Sequence, residues 1–349
     1  MRRVLLLAGA VLMLHPDFAS ATDMRPEVAK HLLLAEKDLN AQKYTAALAQ
    51  VNAAQAVGGL SADEAVAVAQ LRGAAAGGAG QYELAAQSYE TVLANGTEPP
   101  ASRLLLTQAI AGFYAHAADY SHTVTWVNRY IAAGGTDSQV RALGAQADYA
   151  QGNYAAALRD VRRDQAAGAI PVAELELAVS AAQKSGDNQT YFEFLQTLLV
   201  ASPTSDVWNA AIALVQAEPA FPDGLTLDAE RLRLATGTLT QAGDYEDYAE
   251  RAILAGQPQE AKRVLASGFG DGILTAQTDA GHATRLQNLA NNQAAQPQNA
   301  NVTPTTLLDA DIAAGRGFTN IPGYTKGDLN NPQAALARLW EIEVSATQK

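Results

Sequence analysis

Apolar residues along this chain recur at helical spacing. Tyr89 and Val92, Val127 and Tyr130, and Leu195 and Leu198 each lie one helical turn apart, with polar residues between them. A strand with one face on a core would instead alternate apolar and polar residues, and no segment sustains that period. Glycine, asparagine and aspartate, which end helices and open turns, separate the periodic stretches. The pattern predicts an all-α chain. Composition agrees, because alanine, glutamine and leucine dominate and aromatic residues make up only 6%. Alanine and straight-chain residues lose little side-chain freedom in a helix.

One short motif returns along the chain: a glycine or small residue, a polar residue, an aromatic, then a small residue three further on. It reads Gln42-Lys43-Tyr44 with Ala47, Gly80-Gln81-Tyr82 with Ala85, Ala118-Asp119-Tyr120 with Thr123, and Gly152-Asn153-Tyr154 with Ala157. A fifth copy, Gly186-Asp187-Asn188, lacks the aromatic, and the steps between copies are 38, 38, 34 and 34 residues. A fixed period of this size predicts stacked helix pairs. The glycine closes one helix in the left-handed conformation, and the polar residue opens the next. The tyrosine packs back over the helix just ended, and the small residue lets two helices cross closely.

This period and the turn pattern resemble the tetratricopeptide repeat. The best copy is Gly80-Gln81-Tyr82-Glu83-Leu84-Ala85, followed by Tyr89, Val92 and the Pro99-Pro100 stop. The resemblance covers residues 26 to 203 in five copies and implies a right-handed α-solenoid of antiparallel helix pairs. Two departures stand out: the first helices lack the family's tryptophan, and two steps exceed the family's period by four residues. Gly243-Asp244-Tyr245 and Ala255-Gly256-Gln257 mark further, degenerate pairs over 204–290. This stretch and the Leu336-Ala337-Arg338-Leu339-Trp340 ending are similar to uncharacterised exported bacterial repeat proteins. A linker is expected at 291–304, where Asn, Gln and Ala are frequent, and a C-terminal helical cap at 305–349. The cap comprises a short helix at 305–314 and a last helix opened by Asn331-Pro332.

The first residues predict export. Arg2 and Arg3 precede an eleven-residue apolar run, Val4 to Leu14, then Pro16 and the small residues Ala19-Ser20-Ala21. That is the layout of a secretory signal peptide, with cleavage expected after Ala21 and a periplasmic or secreted destination. The run is far shorter than the roughly 20 residues of a membrane span. Without a cysteine the chain has neither a lipoprotein anchor nor disulfides. Losing Arg2, Arg3 and Asp17 with the leader takes the formal charge from −12 to −13. A surface this acidic disfavours nucleic acid and anionic membranes as partners.

Catalytic signatures are missing: there is no cysteine nucleophile, Gly-x-Ser-x-Gly elbow, His-Glu-x-x-His or Gly-Lys-Ser/Thr phosphate loop. Gly268-Phe269-Gly270-Asp271-Gly272 follows no strand and reads as a helix end and turn. His116, Asp119 and His122 surround one helix–helix turn, where an aspartate cap between two part-exposed histidines outweighs a metal site. Asp309 and Asp311 start like a calcium loop, but Ala313 stands at the next ligand position. Asn95, Asn188 and Asn301 begin Asn-x-Thr triplets that read as accidental. No cofactor and no metal is expected.

The tetratricopeptide resemblance places a groove on the first helix of each pair. The family's inward residues lie thirteen, ten, six, three and two positions before the turn glycine. Here these are Gln70, then Gln108 with His116, then Gln139, Gln146 and Tyr149, then Glu176, Ser180, Gln183 and Lys184, with alanine and glycine filling most other places. Only Lys184 matches the cationic face with which family members grip a carboxyl terminus. Amide side chains both donate and accept, so they suit the backbone of an extended peptide, or the hydroxyls of a glycan. The sequence therefore predicts a non-enzymatic scaffold for protein or peptide partners. Its rival is carbohydrate handling, as a polymer-export adaptor or the platform of a wall-cleaving enzyme. Such an enzyme needs a glutamate of raised pKa, for which Glu174, Glu176 and Glu246 are candidates, all read as ordinary helix-face charges.

Overall fold

The turn motif does what its residues require. In the computed structural model Gly80, Gly152 and Gly186 have φ of 75°, 78° and 73°, and even Gln42 and Ala118 are left-handed at 58° and 57°. At Gly80 the amide of Gln81 reaches back to the Ala76 carbonyl (2.8 Å) and the Gly80 amide to Gly77 (3.2 Å). These are the two bonds of a Schellman cap, which satisfies the last carbonyls of the finished helix. The same pair recurs at Gln42, Ala118 and Gly152, and again at Gly256 in the degenerate region.

The structure describes residues 24–275, 281–295 and 328–347, and among them sixteen α-helices and no strand. The leader, most of the expected linker, the 305–314 helix and Asp309 with Asp311 lie outside the described residues. Among the described residues no helix is long and apolar enough to cross a membrane. The chain divides into two compact units after Ala181.

The first unit holds α1 (Pro26–Asn40), α2 (Tyr44–Ala56), α3 (Ala62–Gly78), α4 (Tyr82–Ala94), α5 (Pro100–His116), α6 (Tyr120–Ala132), α7 (Ser138–Ala150) and α8 (Tyr154–Ala167), with the start of α9 (Val172–Ser185). Each odd helix pairs with the next, and each pair packs on the following one, the arrangement of an α-solenoid. The stretched steps now have a cause. α3 and α5 are 17 residues long and α7 is 13, so the four extra residues add one helical turn.

Small residues set how closely these helices approach. Ala47, Ala85, Thr123 and Ala157 are fully buried, and the motif tyrosines 44, 82 and 154 are half-buried against neighbouring helices. α3 extends this device with glycines that carry a neighbour's ring. A Cβ would come within 2.8 Å of Tyr89 at Gly73 and of Phe113 at Gly77, and would strike Tyr44 at Gly78. Tyr89 and Phe113 also stack, with centroids 5.9 Å apart.

The second unit holds α10 (Asn188–Ala201), α11 (Ser205–Gln216), α12 (Thr226–Ala235), α13 (Ala242–Leu254), α14 (Pro258–Gly270), α15 (His282–Ala294) and the C-terminal helix Pro332–Thr347. Tyr245, Tyr248, Leu265 and Leu286 centre one core over α13–α15. The glycine-rich stretch after Ser267 ends α14 and turns at Gly272, φ 71°. α15 runs to Ala294, so the first residues expected as linker are helical instead. Asn331 caps the C-terminal helix through the Ala334 amide (3.2 Å), and that helix packs on α10, α11 and α12.

Candidate functional site

Helical geometry puts residues three, four and seven apart on one face, which decides how the expected groove stripe lies. Gln139, Gln146 and Glu176 are exposed; Gln70, Gln108, His116, Tyr149 and Ser180 are half-buried. The Tyr149 hydroxyl lies 2.7 Å from the Ser180 hydroxyl, so α7 and α9, first helices of consecutive pairs, meet along this stripe. Gln70 donates to Glu98 (3.1 Å), and the His116 ring stacks on Tyr82 at 4.9 Å. Gln183 and Lys184 are exposed at the end of α9, in the second unit.

Two features of the stripe differ from the sequence reading. Gly77 and Gly78 occupy inward positions yet are covered by Phe113 and Tyr44, so in the second pair part of the stripe is packing surface. Leu105, one turn before Gln108 on α5, is 48% exposed and gives the stripe an apolar residue that the count by polar side chains passed over.

The histidine turn is built as a cap. Asp119 accepts from the His122 amide (3.1 Å) and pairs with its ring at Nδ1 (2.7 Å), while His116 turns to Tyr82. Among the described residues no three His, Asp or Glu side chains gather as metal ligands.

The three glutamates separate sharply. Glu176 is an exposed helix-face charge, as read, whereas Glu246 is bonded to the His282 ring (2.9 Å). Glu174, expected on an open face, is only 6% exposed. It lies in a cluster where the Arg141 Nε donates to Asp164 (2.8 Å) and Arg163 donates to Asp164 (3.1 Å) and Asp160 (2.9 Å). Burial, reinforced by the neighbouring Asp164 carboxyl, pushes Glu174 up to about 7. That is the pKa of a general acid, but the carboxyl is closed in by α7 and α8, where no sugar ring can reach it.

On the second helices α4 and α6 lies a cleft of about 490 Å³, lined by Gln87, Glu90, Thr91, Leu93, Ala94, Trp126 and Arg129. The Glu90 Oε1 accepts from the Tyr114 hydroxyl (2.7 Å) and the Trp126 indole (2.9 Å). The Arg129 guanidinium rests over the Trp126 ring, 4.4 Å from its centroid. Sequence reading missed this site because its residues sit on the helix face that the groove argument leaves aside.

No protein-family model and no curated protein matches the chain. Among solved structures, a tetratricopeptide repeat protein from Parabacteroides merdae is similar, with 11% identity, a TM-score of 0.39, and coverage of 76% of this chain and 99% of that one.

Proposed function

We propose that the chain is an exported scaffold that binds a protein or extended peptide through the first-helix stripe of its first unit. The observation that carries this reading is the row on α5 and α7. There Leu105 and Gln108, then Gln139 and Gln146, stand open or half-open on helices whose other faces are packed. An apolar anchor beside amides that donate and accept is the chemistry an extended backbone needs. The acidic surface favours a neutral or basic partner. Export rests on the leader-like first residues, and the N-terminus of the protein recovered from its native host should be Thr22.

Photo-crosslinking from the stripe tests the binding role. A crosslinker at Gln108 or Gln146 should trap one protein from an envelope extract, and one at Ser121 on α6 should not. Changing Leu105 to Glu should remove the Gln146 product. Equal labelling from all three positions would overturn the proposal. Glu174 is the one feature that favours a wall-cleaving enzyme, and its burial argues against that rival. Digestion of cell-wall glycan that is lost in Glu174→Gln would restore it.

A further inference from the structure

We infer that the cleft between α4 and α6 is a binding site for a small zwitterion, a free amino acid or a short peptide. Its ammonium group meets Glu90 and its carboxylate meets Arg129. The inference stands apart from the proposed partner surface, because it uses the second helices and needs no macromolecule.

The first observation is an anion held in place. Both donors to Glu90, from Tyr114 and Trp126, arrive at Oε1, so the orientation of the carboxylate is fixed while Oε2 stays accessible and unbonded among the described residues. The second is a cation held in place. Arg129 lies on the face of Trp126 and has no ion-pair partner among the described residues. Both line the same cleft, yet no salt bridge joins them. One indole explains this: its N–H fixes the carboxylate and its π face fixes the guanidinium, so neither moves to neutralise the other.

A ligand carrying both charges satisfies both groups at once. A simple anion would be opposed by Glu90, and a simple cation by Arg129. Zero net charge also suits a chain of formal charge −12, which repels free anions. The cleft volume of about 490 Å³ falls within the range of roughly 300–1,000 Å³ typical of small-molecule sites. Gln87 and Thr91 offer polar contacts to a peptide group, and Leu93 and Ala94 offer apolar surface to a side chain.

Fluorine NMR of the full chain labelled with 5-fluorotryptophan tests this directly. The three tryptophans give three resonances, and Trp126 is assigned from W126F. The dipeptide alanyl-alanine should shift Trp126 alone, with half-saturation on the order of 1 mM, since two charge-assisted contacts of about 1.5–3 kcal/mol each sum to about 3–6 kcal/mol. Its N-acetylated and C-amidated forms, each missing one charge, should bind about tenfold more weakly, as should the unmodified dipeptide to Glu90→Gln or Arg129→Gln. An unchanged far-UV circular-dichroism melt of those variants shows that the fold is kept, which Trp208 and Trp340, both in the second unit, would not report. No shift by about 10 mM dipeptide, well above the affinity of a two-contact site, would overturn the inference. Equal shifts from all three forms would do the same. The titration contains no protein partner, so its failure leaves the stripe reading intact, and failed crosslinking leaves the cleft intact.

Discussion

Residues 26–132 and residues 226–270 solve one packing problem with different chemistry. In the first region α3 fits its neighbours mainly by shape: Gly73, Gly77 and Gly78 leave room for the rings of Tyr89, Phe113 and Tyr44, with an ion pair from Arg25 to Glu64 (2.8 Å) at its start. In the second the helices are joined by charge. The Arg231 side chain, 11% exposed, pairs with Asp228 (2.7 Å) and Glu260 (2.8 Å), and Tyr248 donates to the same Glu260 (2.7 Å). Shape matching fixes distance and works with apolar atoms alone. An ionic lock fixes register, but it takes charges out of water and depends on every partner being present.

The largest effect should come from opening that lock. Arg231→Met removes the cation that Asp228, 1% exposed, and Glu260 share, which should destabilise the second unit by about 3–5 kcal/mol. A urea melt followed by far-UV circular dichroism reads the loss. Adding Glu260→Gln should return part of it, because one stranded charge is then gone. A cost below about 1 kcal/mol would put this pair on a par with exposed ion pairs and erase the contrast between the regions.

Shape matching should fail more gently. Ala85 is fully buried, and its Cβ is 3.8 Å from where a side chain on Gly77 would start. Ala85→Leu should therefore cost about 1–3 kcal/mol by overpacking. Gln146→Ala, on the open stripe, should stay within about 0.5 kcal/mol. Equal losses from the two changes in the same melt would mean that the faces are assigned the wrong way round.

The cluster at α7–α9 mixes both strategies and leaves two carboxyls, Asp164 at Oδ2 and Glu174 at both oxygens, short of hydrogen bonds. Both oxygens of Glu174 are buried without a partner, and its pKa is about 7 against an ordinary 4.5. Between those values the folded chain binds more protons than the unfolded one, so this group's contribution to stability falls as pH rises from 4.5 to 7. Glu174→Gln removes the liability. The variant should match the parent at pH 4 and exceed it at pH 8 by on the order of 1–2 kcal/mol, read from paired urea melts. A difference that does not change with pH would show that ionisation is not its cause.

What the sequence made legible was local. The turn residues, their Schellman bonds, the buried alanines and the Asn331 cap each depend on a few neighbours in the chain. The helix pairs follow from repeating that unit. Contacts between elements were not legible. Gly77 and Gly78 fall at groove positions by counting, and only the arrival of Phe113 from α5 and Tyr44 from α2 makes them packing positions. Glu174 sits in the first turn of α9 like any solvated acid until α7 and α8 enclose it. Glu90, Trp126 and Arg129 come from two repeats, and no spacing rule joins them. The C-terminal helix opens at the Asn331-Pro332 step that its own residues mark, but its docking on α10, α11 and α12 is a long-range choice that they do not announce.

The smallest effect predicted to differ from zero concerns the turn that four of the repeats share. Ala118 has the left-handed φ of 57° and the same two bonds as the glycine copies, to Ala115 (3.2 Å) and Tyr114 (3.0 Å). An L-residue held there costs roughly 1–2 kcal/mol, because its Cβ crowds the following carbonyl. Glycine avoids that clash but loses about 0.5–1 kcal/mol more through the freedom of its unfolded chain. Ala118→Gly should therefore gain about 0.5–1 kcal/mol, and Gln42→Gly, at φ 58°, should gain a similar amount. The reverse change sharpens the point. Gly80 has φ 75° and open space where a Cβ would go, so Gly80→Ala has only the backbone penalty to meet and should lose about as much as Ala118→Gly gains. Melts of the three variants that fail to show opposite signs would mean that something other than backbone strain decides which residue closes these helices.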